Sequence, residues 1–325
     1  MPAFKLFVPV CVFTCVCIMI ILNKYSVAFQ VSRSPNTFNR LRHSDVVCDK
    51  QDVSRDAIVT MLTAITEDYL AFVLVLGHSI SKFSDVTCAI DRLVLITQDQ
   101  MVSRHTRVCL ELAGWTIRMV PVIYPPDSVN ENSVKHQRYL KCFSKLHTFN
   151  MTQYRAVLFL DADTMVCGHI MPLFNTYALQ MQEQGVHLAW ARDSHNTANP
   201  SSGNNAGVML IRPSTKLTAK LIVNVNHVPF DTAWSEQGYL AAIFNGTNAT
   251  HPDTIHKQYL ELPQKYNLMA HIATTDSTLW DATYARARIF HFTWLKPTAR
   301  LLLVRCAYMG ILHFCRMWND LRDTL

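Results

Sequence analysis

Apolar and polar positions alternate along this chain with two different periods. Val59-Thr60-Met61-Leu62-Thr63, the stretch Arg92 to Thr97, and Trp115 to Val122 are short runs rich in β-branched and aromatic residues, which predict strands. Between them, Tyr69 to Phe83 spaces its apolar residues three and four apart and predicts a helix, and Arg104 to Ala113 predicts another that Gly114 ends. Tyr124-Pro125-Pro126 predicts a loop. Phe143 to Phe149 has a helical pattern, and Ala156 to Leu160 is a continuous apolar run, as a strand buried on both faces requires. This β-α-β-α-β order predicts an α/β domain whose mostly parallel sheet is flanked by helices. In such sheets ligands sit at the carboxyl ends of the strands.

Outside that pattern lie two segments of different character. Leu6 to Leu22 is apolar and uncharged between Lys5 and Lys24, and its length reaches the short end of a bilayer span. A cleaved signal peptide is the competing reading, but no clear small-residue cleavage site follows, so residues 1–24 are expected to be a retained signal anchor and residues 25–52 a polar stem. The basic residues after the span would leave the rest of the chain cytosolic by the positive-inside rule. Sequons at Asn150, Asn245 and Asn248 point the other way. The expectation adopted is a single-pass protein with its main domain in the lumen of the Golgi or endoplasmic reticulum. At the other end, residues 300–325 carry an apolar run too short to span a membrane and are expected to form a helical tail packed on the domain.

Composition narrows the function classes. The chain has 325 residues, 50% of them hydrophobic and 17% charged, enough for one large α/β domain, here placed at residues 53–299. A net charge of +6 without a basic run or a basic face interleaved with aromatics suits anionic small ligands and speaks against nucleic acid. The ten cysteines show no zinc spacing; one or two disulfides are allowed, with pairing left open.

The candidate chemistry lies at the end of the most apolar strand. Asp161-Ala162-Asp163 places two carboxylates one residue apart at a strand's carboxyl end, where they can grip a divalent cation, Mn²⁺ or Mg²⁺, together with diphosphate oxygens. The same Asp-x-Asp-Thr string also opens phosphatases of the haloacid-dehalogenase type, in which the first Asp is a nucleophile. That reading needs a second acidic pair, for which Asp276 and Asp281 are the mimic here. It also needs the Asp strand to open its domain, whereas three predicted strands precede this one.

The chain resembles glycosyltransferase family eight, the glycogenin-like retaining enzymes, nearest to the plant glycogenin-like and glucuronosyltransferase branch. The resemblance rests on Ser144-Lys145-Leu146, Gln153-Tyr154 and the run ending Asp161-Ala162-Asp163-Thr164. It continues through Pro172-Leu173-Phe174, Asn205-Ala206-Gly207, Glu236-Gln237-Gly238, and Leu262-Pro263 with Tyr266-Asn267, and ends at His291 to Pro297. It implies a GT-A fold and a metal-dependent retaining enzyme that moves a hexose or hexuronic acid from a UDP-sugar to a glycan or protein acceptor. Asp161, Asp163 and His291 would be the metal ligands, and Lys296 would meet the diphosphate. Thr63 and Tyr69 would hold the uridine, and Arg138, Lys145, Ala162 and Gly207 the donor. Asp193, Asn205 and Gln237 would hold the sugar hydroxyls, and Glu236 or Asp231 would serve the anomeric carbon. A homodimer is compatible with it.

The sequence departs from the family's pattern at three places. Glu236 stands for the usual Asp, Thr293 or Trp294 stands for the Gly of the last block, and Thr298 stands for a Trp. A non-catalytic sugar-nucleotide or glycan binder is therefore a further reading, beside the phosphatase.

Overall fold

The structure is a computed structural model that describes residues 56–84, 86, 90–126, 129, 137–193, 203–245, 258–296, 306 and 310–324. The expected anchor, the stem, the Asn248 sequon and Thr298 lie outside the described residues. Among the described residues no helix is long and apolar enough to cross a membrane.

The first half of the domain builds as the pattern predicts. Strand β1 (Asp56–Leu62) is followed by helix α1 (Glu67–Phe83), β2 (Ile90–Thr97), α2 (Arg104–Leu112) and β3 (Thr116–Val120). Helix α1 starts two residues earlier than its apolar period, because the Thr66 hydroxyl caps it by accepting from the Tyr69 amide and Glu67 and Asp68 fill the first turn. Ser103 caps α2 in the same way through the Thr106 amide. The stretch predicted as a helix from Phe143 to Phe149 is instead part of a 3₁₀ segment, Gln137–Asn150. Its key apolar residues, Phe143, Leu146 and Phe149, recur every third position and are fully buried. A threefold turn eclipses such residues in one straight row, where an α-helix would spread them across one face.

The second half supplies β4 (Val157–Leu160), β5 (Thr164–Val166), α3 (Ala178–Glu183), β6 (Leu188–Arg192), β7 (Asn204–Ile211), α4 (Thr215–Asn224) and α5 (Ser235–Phe244). Then come β8 (Tyr259–Glu261), β9 (Leu268–Met269), α6 (Ile272–Thr275), α7 (Ser277–Thr283), β10 (Ile289–His291) and α8 (Leu312–Arg322).

Seven strands form one sheet in the order β3-β2-β1-β4-β7-β6-β8. All are mutually parallel except β7, which runs antiparallel to both β4 and β6. Within β4, Leu158 and Leu160 face one apolar layer while Val157 and Phe159 face the other, all fully buried. That is the alternation of a strand covered on both sides. A small second sheet, β5-β10-β9, extends from the end of β4.

The tail is part of this core. Phe314 stacks on Phe290 of β10 with centroids 4.0 Å apart, Trp318 packs edge-on against Phe72 of α1, and a disulfide joins Cys306 to Cys315. The helix α8 is shorter than the expected 300–325 tail, and it braces the strand that carries His291.

Candidate functional site

The sheet order reverses direction of growth between β1 and β4, and ligands of open α/β sheets bind at such a switch point. Thr63 follows β1 there, and Asp161 follows β4. Because β7 runs the other way, its amino-terminal end, Asn204 to Gly207, lies at this same edge, and the Asp161 amide donates to the Gly207 carbonyl at 2.7 Å. A turn through Asp163 then leads into β5 at Thr164, and the antiparallel pairing of Thr164 with His291 carries the imidazole back to the acidic pair.

Asp161, Asp163 and His291 each offer a ligand atom, and these atoms lie within 4.8 Å of one another. His291 Nε2 is 3.4 Å from Asp163 Oδ1. The orientation of the ring is set by a chain of amides. The Gly207 amide donates to Asn205 Oδ1 at 3.0 Å, so this atom is the acceptor. Asn267 Nδ2 donates to the same oxygen at 2.9 Å, which turns Asn267 Oδ1 toward His291 Nδ1, 3.1 Å away. An acceptor at that distance places the proton on Nδ1 and leaves the Nε2 lone pair facing the carboxylates, the arrangement of a metal-ligating histidine. Burial lowers the His291 pKa to about 4, so the ring is neutral at ordinary pH. The donor set, two carboxylates and one neutral imidazole, fits a divalent cation.

Gly207 makes this geometry possible. A Cβ at that position would collide with His291 Cε1 and lie 2.8 Å from Nδ1 and 2.9 Å from Asn205 Oδ1. The last residue of the Asn-Ala-Gly motif is thus the surface on which the imidazole rests.

Two lysines neutralise the acidic groups. Lys145 Nζ lies 2.8 Å from Asp161 Oδ1 and 2.7 Å from Glu236 Oε1, with its side chain almost completely enclosed. Burial pushes its pKa down, but Asp161 and Glu236 outweigh it, and the net shift is well above the ordinary lysine value. For Asp161, burial pushes upward while Lys145 and His291 pull downward, and the net direction is down. Lys296 Nζ pairs with Asp163 Oδ2 and donates to the Phe292 carbonyl at 3.2 Å.

A second, fully polar cluster lies beside these groups. Gln237 Nε2 donates to Asp193 Oδ2 at 3.1 Å, Asn205 Nδ2 to the same oxygen at 3.3 Å, and the Ala206 amide to Gln237 Oε1 at 3.1 Å. Helix α5 delivers Glu236 and Gln237 from its first turn, and Gly238 allows the close approach, since a Cβ there would strike the Asp231 carbonyl.

One cavity of about 410 Å³ gathers nearly every site residue expected from the sequence. Its walls include Thr63, Tyr69, Lys145, Asp161, Ala162 and Asp163, as well as Asp193, Asn205, Gly207, Glu236, Gln237, His291 and Lys296. Asp231 does not line it. Its carboxylate accepts from the Ala233 amide at 3.1 Å and caps the turn before α5. The side chain of Arg138 lies outside the described residues.

Sequence reasoning assigned no site role to Asn267, which orients His291, or to Trp234 and His271 in the cavity wall. Asn267 sat in a recognised motif, so a signal existed. The structure also resolves which residue replaces the glycine of the last block. Trp294 has φ +63°, the left-handed conformation that favours glycine.

The fold and the edge cluster together define a GT-A-like α/β protein. Comparison with known proteins specifies it further. The sequence profile described as "Glycosyl transferase family 8" matches residues 60–297, and the chain belongs to this family. It is 30% identical over 191 residues to inositol phosphorylceramide glucuronosyltransferase 1 of Arabidopsis thaliana, covering 59% of this chain and 30% of that one. It is 29% identical over 241 residues to glycogenin-1 of Mus musculus, covering 73% and 63% of the two chains. Among solved structures, an active-site mutant of LgtC superposes with a TM-score of 0.55 at 18% identity, covering 83% of this chain and 96% of that one. At that identity the likeness speaks for the fold. The chain spans less than two thirds of the length of these curated relatives.

Proposed function

We propose that this chain is a metal-dependent retaining glycosyltransferase that moves a hexose or hexuronic acid from a UDP-sugar to a glycan or protein acceptor. The observation that carries the reading is the meeting of Asp161, Asp163 and His291 ligand atoms within 4.8 Å at a strand's carboxyl end, with the Lys296 ammonium against Asp163. Membership of glycosyl transferase family 8 supports it.

The three ligands would hold one divalent ion, and an imidazole in the set favours Mn²⁺ over Mg²⁺. Such an ion supplies positive charge where a leaving diphosphate gathers negative charge. Lys296 pairs with the other carboxylate oxygen of Asp163, Oδ2, and would add a point charge to that diphosphate. Thr63 and Tyr69 would take the uridine end of the cavity. The Asp193–Asn205–Gln237 cluster would bind sugar hydroxyls, since buried, oriented donors and acceptors discriminate hydroxyl patterns strongly. Glu236 lies one lysine away from Asp161, through the Lys145 bridge, and would be the carboxylate that faces an anomeric carbon with oxocarbenium character. Asp231, engaged as a cap outside the cavity wall, is the weaker candidate for that role.

The phosphatase reading finds no support in the geometry. Asp276 caps α7 through the Leu279 amide at 2.9 Å, and neither it nor Asp281 lines the cavity.

A lumenal location is part of the proposal. The Cys306–Cys315 disulfide supports an oxidising compartment, and Asn150 of the first sequon is exposed. Membrane attachment through the N-terminal segment and a homodimer remain proposals from the sequence.

The test is a panel of UDP-sugars with Mn²⁺, followed by Asp163→Ala and His291→Ala. Turnover in the wild type that either substitution abolishes supports the reading. Donor binding without turnover would make the protein a binder, and phosphate release from simple phosphoesters that is indifferent to His291→Ala would make it a phosphatase.

A further inference from the structure

The cavity wall carries an aromatic arrangement to which the donor reading above assigns no role. Trp294 lies between His291 and Lys296 and lines the cavity, yet it is 58% exposed. Its backbone sits in the left-handed region at φ +63°, where a residue with a Cβ is disfavoured. Its indole stacks on the His271 imidazole, with ring centroids 5.0 Å apart and planes 29° from parallel. His271 is itself buried; its Nδ1 lies 2.8 Å from the Thr293 hydroxyl and its Nε2 3.7 Å from Asp193 Oδ1. A fixed, buried ring thus holds a solvent-facing indole in one orientation despite backbone strain. Such strain persists where the surroundings over-determine it, and it clusters at ligand clamps.

Position decides which ligand the indole suits. On one side Asp193 adjoins the His271–Trp294 stack. On the other it joins Asn205 and Gln237 in the buried polar cluster. Under the reading above, that cluster takes the donor sugar. A further ring on the solvent side of that cluster would meet the exposed indole, which lines the same cavity. A pyranose offers a flat face of C–H groups to such a surface and keeps its hydroxyls at the edges, in reach of polar neighbours. A second indole, Trp234, also lines the cavity, just before Ser235, whose φ is +50°.

We propose that Trp294, backed by His271, is the platform on which the acceptor's sugar ring stacks, so that the acceptor is a pyranoside. The proposal rests on the donor reading. It makes Trp294 a specificity-determining residue and His271 a positioning residue that acts through it.

The experiment uses the full chain with Mn²⁺. Calorimetry with UDP tests the donor side alone. With UDP and Mn²⁺ present, a panel of methyl pyranosides of different stereochemistry is then titrated and read by saturation-transfer NMR. The expected result is saturable binding of at least one pyranoside. Trp294→Ala should weaken it about ten-fold, the scale of one aromatic stacking contact, and Trp294→Phe should restore most of it. His271→Ala should weaken it as well, and the losses should fall on the pyranoside and not on UDP. Failure of the wild type to bind UDP would sink the donor reading and this one with it. UDP binding without any pyranoside binding, or pyranoside binding unchanged in Trp294→Ala, would overturn the acceptor platform and leave the donor reading intact. A parallel loss of UDP affinity in Trp294→Ala would also overturn it, by making the indole a donor contact.

Discussion

Replacing Gly207 with alanine should damage the metal site without touching a ligand. The added methyl would lie 2.8 Å from His291 Nδ1 and 2.9 Å from Asn205 Oδ1, and would overlap Cε1. Ordinary carbon contacts open at about 3.5 Å, so something must move by roughly an ångström. The strand is poorly placed to yield. The Gly207 carbonyl accepts from Asp161 at 2.7 Å, its amide donates to Asn205 at 3.0 Å, and β7 is paired with β4 on one side and β6 on the other. The imidazole must therefore move, stretching its 3.1 Å contact with Asn267 and taking Nε2 out of its place beside Asp163. Overpacking of this kind costs about 1–3 kcal/mol in stability. Loss of the orienting contact weakens metal binding about 10–100-fold. Mn²⁺ titration calorimetry and denaturant melts on wild type, Gly207→Ala, His291→Ala and the double variant read both quantities. With the ring removed, the methyl has room, so the double variant should recover most of the stability lost to Gly207→Ala. Wild-type Mn²⁺ affinity in Gly207→Ala, or strictly additive losses in the double variant, would refute the claim that glycine is there to seat the imidazole.

Three further outcomes are expected. His291 is neutral and buried, with its pKa lowered to about 4 from 6.5, so below pH 6.5 the unfolded chain binds a proton that the folded one does not. The metal-free protein should therefore lose stability as pH falls from 6.5 to 4, by about 3 kcal/mol in total. Urea melts in a chelator, compared with His291→Gln, would show this slope in the wild type alone. Lys145→Met would leave Glu236 and Asp161 without their shared cation and should destabilise by about 3–5 kcal/mol in urea melts, with Glu236→Gln in the same chain recovering part of it. Replacing Cys306 and Cys315 with serine opens a loop of sequence separation 9, which should cost about 2–3 kcal/mol and lower the melting temperature by calorimetry.

Much of this site could be read from the chain itself. The five apolar residues before Asp161, too few for a buried helix, read as a strand covered on both faces, and carboxylates at the end of such a strand emerge at the ligand edge of the sheet. The apolar period also located α1 and α2 to within two residues at their starts, while their capping hydroxyls, Thr66 and Ser103, were recognised only in the structure. Three-residue spacing did not announce a 3₁₀ turn, since Phe143, Leu146 and Phe149 fit either helix until the core on which they pack is known. The tail's helical character was legible; its docking beneath β10 was not, because Phe314 meets Phe290 only through the folded chain.

What the sequence by itself determined were the properties that depend on neighbours in the chain: periodicity, the glycine that ends α2, the acidic pair and the recognisable motif blocks. Tertiary structure alone decided the rest. It reversed β7 so that its amino-terminal Asn and Gly meet the carboxyl end of β4, and it brought His291 to an acidic pair about 130 positions earlier in the chain. It left Asp231 as a cap and Glu236 in the cavity wall, and it put Trp294 into a backbone conformation suited to glycine. The physical reason is that partners, burial and backbone strain are properties of proximity in space, which no local pattern encodes.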